Sequence, residues 1–93
     1  MYSVILYNQH EIKVVKVGNY RDIQLILGGA YDLDEIGDFL ISTLADDNSE
    51  CVKINGKPYG KTIIAGFVNN ELCSISEEEL GYFSQSTDIA ISG

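Results

Sequence analysis

Ninety-three residues, 45% of them apolar and 10% aromatic, suffice for one domain with one modest core and exclude a disordered chain. The net charge of −8 excludes general nucleic-acid binding and attraction to an anionic membrane, and favours a basic protein partner or a cationic ligand. No apolar run approaches the ~20 residues of a membrane helix, and Met1–Val4 shows no basic, then apolar leader, so the expected location is cytoplasmic, with Cys51 and Cys73 as reduced thiols.

Tyr2 to Tyr7 and Ile12 to Val17 are rich in β-branched and aromatic residues and flank the polar Asn8-Gln9-His10-Glu11, which predicts a hairpin. Asn19 can accept a free amide, and Ile23, Ile26 and Leu27 share a helical stripe, so residues 20–27 form a two-turn helix ended by Gly28-Gly29. Asp32 with Glu35 makes a capping-box pattern. Ile36, Phe39, Leu40, Thr43 and Leu44 then repeat at i, i+3, i+4, i+7 and i+8, which predicts a helix over 33–45. A strand competes there: Tyr31 and Leu33 alternate with aspartates, and Gly37 costs a helix interior about 1 kcal/mol.

Residues 45–50 are a loop. Cys51 to Ile54, the Asn55-Gly56 turn and Lys57 to Tyr59 form a tight hairpin, with Pro58 keeping its return strand short or at an edge. Thr62 to Val68 is the most β-prone run and, with this hairpin, is expected to be the centre on which the rest packs. Asn69-Asn70 turns it into Glu71–Ile75. Ser76-Glu77-Glu78-Glu79 is a second capping box, opening a helix that carries Leu80 and Phe83 inward; the tail, 84–93, alternates at Ile89 and Ile91 and either adds a last edge strand or stays loose. The fold class is α+β: a mainly antiparallel sheet of four to six short strands with two or three short helices on one face.

Several catalytic and metal motifs fail on inspection. Gly56-Lys57-Pro58-Tyr59-Gly60-Lys61-Thr62 is one residue short of a P-loop, and strand formers, not a helix, follow it. Asp32–Gly37 resembles the start of a calcium loop, but Ile36 and Thr43 occupy ligand positions. His10 is the sole histidine, in a turn, and the cysteines form no CxxC pair. The chain is therefore expected to be non-enzymatic, without cofactor or metal.

Charge is segregated along the chain. Residues 32–50 hold Asp32, Asp34, Glu35, Asp38, Asp46, Asp47 and Glu50 and no base. These form the candidate partner-binding surface. The next stretch is basic, and Lys53, Asn55, Lys57, Tyr59 and Lys61 form the alternative, a cradle for a small anion such as a signalling nucleotide. Lysines that guard a strand edge against aggregation would look the same.

In order along the chain, Ile23-Gln24 through Gly28-Gly29-Ala30-Tyr31, Ile54-Asn55-Gly56-Lys57-Pro58-Tyr59-Gly60, Ile64-Ala65-Gly66-Phe67 and Ser76-Glu77-Glu78-Glu79-Leu80 resemble the domain of unknown function 3846, small proteins of phages and mobile elements. The chain departs from that pattern in the alanine before Tyr31 and in its longer, more acidic 32–50 block. The resemblance implies a phage-like origin and a strand after the double glycine, and no particular chemistry. The leading expectation is a phage-type inhibitor of a host defence nuclease, of the anti-CRISPR or anti-restriction class. Its carboxylates would stand in for phosphates on a basic, nucleic-acid-binding host protein. The alternatives are a nucleotide sponge using the basic hairpin and a self-associating structural module, a homo-oligomer joined at the Pro58 or tail edge.

Overall fold

The computed structural model describes all residues, Met1–Gly93. Consecutive apolar runs decide its layering. Val4, Ile5, Leu6 and Tyr7 are all buried, and so are Ile63, Ile64 and Ala65. Successive strand residues point to opposite faces, so strands of this kind need cover on both sides.

The strands β1 (Tyr2–Asn8) and β2 (Glu11–Val17) form the first hairpin, and β3 (Tyr31–Ile36) and β4 (Phe39–Leu44) the second. A small hairpin follows, β5 (Val52–Ile54) and β6 (Lys57–Tyr59), and then β7 (Thr62–Val68) with β8 (Glu71–Cys73). The main sheet runs β2-β1-β7-β4-β3, with β8 also paired to β7, and every pairing in it is antiparallel. Thr62 to Val68 is thus the central strand, as its composition predicts. The β5–β6 hairpin does not share that sheet. It forms a second, three-stranded sheet with β9 (Asp88–Ile89), which joins β5 in parallel.

The two helices lie on opposite faces of the main sheet, which corrects the expectation of one face. Helix α1 (Tyr20–Leu27) buries Ile23 and Leu27 with Val4, Leu6, Val17, Ile63 and Ala65. Helix α2 (Glu77–Ser84) and the small sheet cover the other face, packing Phe83, Val52, Ile54, Tyr59 and Ile89 on Ile5, Tyr7, Ile41 and Ile64. The helix ends read well from sequence. The Asn19 side chain accepts from the Asp22 amide, Gly28 is left-handed at φ 90°, and Ser76 accepts from the Glu79 amide.

Residues 33–45 are not a helix. They are β3, β4 and the turn between them, in register from Tyr31 opposite Leu44 to Ile36 opposite Phe39. Gly37, at φ 57°, takes the first place of the two-residue loop, which suits glycine and not a helix interior. The helical spacing arises because β4 is buried on both faces: Phe39 and Ile41 face the core beneath α2, and Leu40 and Ser42 face the side of α1. A strand apolar on both sides offers apolar residues at every spacing, i+3 and i+4 included.

The C-terminal segment is tied down by one side chain. Asn55 sits left-handed in the Asn-Gly turn at φ 53°. Its Nδ2 donates to the Ile91 carbonyl at 3.0 Å, and its Oδ1 accepts from the Ile91 amide at 2.8 Å. The Asn55 amide donates to the Ile89 carbonyl, so the side chain prolongs the β5–β9 pairing past the end of the strand.

Candidate functional site

The acidic block and the basic hairpin, read as rival surfaces in the sequence, touch each other. Strand β3 is an edge of the main sheet, and its alternation places Asp32 and Asp34 on the face covered by the small sheet. There the Asp34 carboxylate accepts from the Tyr59 hydroxyl at 3.1 Å and pairs with Lys57 Nζ at 3.6 Å. Lys57 also lies over the Tyr59 ring, 5.2 Å from its centroid. Burial first, and Asp34 second, push the Tyr59 phenol up to about 12.

Two further acids have internal work. Asp47 accepts from the Ser49 amide and hydroxyl and from the Lys61 amide, and these bonds hold its carboxyl below the usual range. It staples the 45–51 loop to the start of β7. Glu50 pairs with Lys53 at 3.5 Å. The remaining four, Asp32, Glu35, Asp38 and Asp46, are exposed and lie within 4 Å of no cationic group, because the three ion pairs of the molecule are Lys13–Glu11, Lys53–Glu50 and Lys57–Asp34.

The five residues of the alternative site do not converge. Lys53 lies opposite Pro58 on the outer face of the β5–β6 ribbon, whereas Lys57 lies opposite Ile54 on the inner face. The Asn55 side chain is consumed by Ile91 and the Tyr59 hydroxyl by Asp34. Lys61 contributes its backbone amide to Asp47.

No protein-family model, curated protein or solved structure matches this chain. Geometry alone therefore ranks its surfaces.

One concave surface joins two acidic segments distant in sequence. A pocket of about 320 Å³ lies between the β3–β4 turn, α2 and the tail, bounded by Asp38, Phe39, Glu79, Tyr82, Phe83 and Ile91 among others. Phe39 and Phe83 meet edge-to-face with centroids 5.2 Å apart and form its floor. Tyr82 stands half-exposed at its side, with its hydroxyl accepting from the Ala90 amide. Sequence reasoning missed this site. The available signal was the spacing of Glu79 and Tyr82, three apart on one face of a capped helix.

Cys51 and His10 border one open pocket, near Ser84 and Thr87. The Cys51 thiol is buried and its partner is the Ser49 hydroxyl at 3.4 Å, while His10 is exposed in the β1–β2 turn. The Tyr7 phenol, pushed far above its ordinary value by burial, donates to the Phe83 carbonyl at 2.7 Å and locks α2 to the sheet.

Helices Tyr20–Leu27 and Glu77–Ser84 have eight residues each, and no helix is long and apolar enough to cross a membrane.

Proposed function

We propose that this chain is a binding protein for a basic protein partner, and that it acts as a phage-type inhibitor of a host defence nuclease. The observation that carries this reading is the set of exposed, unneutralised carboxylates on the β3–β4 hairpin and the loop that follows it, Asp32, Glu35, Asp38 and Asp46, on a chain of net charge −8. Exposed, unpaired carboxylates present a basic nucleic-acid channel with charge of the same sign as a phosphate backbone. This attraction steers association at low salt and weakens as the screening length shrinks to about 8 Å at physiological ionic strength. The resemblance to small phage and mobile-element proteins supports the choice of target. Asp34, Asp47 and Glu50 are left out of the contact set, since each already serves a neighbour in this chain.

The test is a titration against a purified phage-restricting nuclease, with DNA cleavage as a second readout. The variant D32N/E35Q/D38N/D46N should lose affinity by at least about tenfold, roughly 1.4 kcal/mol, and should stop protecting DNA. Unchanged affinity and protection would overturn the proposal.

A further inference from the structure

The groove between the β3–β4 turn, α2 and the tail has an aromatic floor and a rim whose only charges are carboxylates, and this pairing selects its occupant. We propose that it receives one arginine side chain from the basic partner. The inference rests on the acidic-surface reading above and names the anchor within it.

The charged side chains at the groove are Asp38 and Glu79, both exposed. Neither has a cationic neighbour within 4 Å. Ser76 donates its hydroxyl to Glu79 Oε1, which leaves Oε2 free to accept. The Tyr82 ring is half-exposed and fixed in place, because its hydroxyl accepts from the Ala90 amide at 3.1 Å and points back at the Ala90 carbonyl at 3.5 Å. Phe39, Phe83 and Ile91 close the base and are nearly or wholly buried.

Such a site has little to offer an anion. An apolar side chain would gain nothing from the two exposed carboxylates. A lysine could reach one carboxylate, but its ammonium is compact and strongly hydrated and gains little from an aromatic wall. The arginine guanidinium is planar, carries five donors and no acceptor, stacks on tyrosine and bridges carboxylates with its fork, while its methylene stem lies on an apolar floor. The volume of about 320 Å³ lies at the small end of ligand-sized pockets and is enough for one long side chain.

The experiment uses the full chain, isotope-labelled, titrated with a short Gly-Arg repeat peptide and with a Gly-Lys repeat peptide of equal charge. The arginine peptide should bind more tightly and should move the signals of Phe39, Tyr82, Phe83 and Ile91. D38N/E79Q and Y82A should each weaken it about tenfold. Glutamine at 79 preserves the capping pattern of α2, so the paired variant stays folded. If the two peptides bind alike, or if D32N/E35Q weakens binding as much as D38N/E79Q, the groove is not the anchor and the proposal falls. The acidic-surface reading would survive that result, because the nuclease titration decides it separately.

Discussion

Replacing Asn55 tests whether one side chain holds the C-terminal segment. Asn55→Gly keeps the left-handed turn and deletes both bonds to Ile91, at 3.0 and 2.8 Å. Each such bond contributes about 0.5–1.5 kcal/mol, so the loss should be about 1–3 kcal/mol. In a domain of this size each kcal/mol moves the melting temperature by about 4–8 °C. Asn55→Asp is the sharper variant. It retains the acceptor for the Ile91 amide but sets a second oxygen against the Ile91 carbonyl where Nδ2 stood. That repulsion acts on the ionised form, so it raises the carboxyl's folded pKa above its unfolded value near 3.9. The folded state then binds the proton more tightly, and the destabilisation should be full at neutral pH and shrink as pH falls through the carboxyl range. Thermal melts at pH 7 and at about pH 4, with amide exchange at Ile89 and Ile91, provide the readout. Unchanged exchange at Ile91 in Asn55→Gly, or a pH-independent deficit in Asn55→Asp, would refute the clamp.

Other expectations follow from single contacts. Asp47→Ala should cost about 1–2 kcal/mol at neutral pH, less than three charge-assisted bonds would suggest because the loop is partly solvated. Since its folded pKa is depressed, the contribution of Asp47 is present above the unfolded value and lost as pH falls through the folded one; the variant's acid-unfolding curve, read by circular dichroism, should therefore be shallower than the parent's. Phe83→Ala removes a side chain only 2% exposed and packed edge-to-face on Phe39, and should cost about 3–5 kcal/mol, seen as a lower urea midpoint at an unchanged slope. Tyr59→Phe should cost about 0.5–1.5 kcal/mol through the bond to Asp34. With its phenol at about 12, Tyr59 stabilises the fold below its unfolded value of ~10 and loses that contribution as pH rises toward 12; ultraviolet titration of the parent and the variant should differ in that window.

What the sequence disclosed was what short stretches decide. Asn19 and Gly28 bound α1, Ser76 caps α2, and Asn55-Gly56 makes its turn, each through contacts within a few residues. The partition of faces was not local. Phe39 and Leu40 look like one helical stripe until β7 and β3 pair on either side of β4 and the strand's alternation sends them to opposite faces of the sheet. The acidic and basic segments look independent until Asp34 meets Lys57 and Tyr59, 25 positions away in the case of the tyrosine. The groove was hidden for the same reason: Asp38, Glu79 and Ile91 come from three separate stretches.

The position of β7 has a consequence for how the chain reaches its native state. Four neighbouring strand pairs, β1–β2, β3–β4, β5–β6 and β7–β8, are local hairpins that can close in about 1–10 μs. None of the first three can bury both of its faces alone. Ile5 must wait for Ile64, and Ile41 waits for the same residue from the other side. During synthesis the first two hairpins therefore stand open until β7 has emerged and can slot between them. This high-separation step should set the folding rate, and the exposed Ile5 and Ile41 edges are where a nascent chain would call on chaperones.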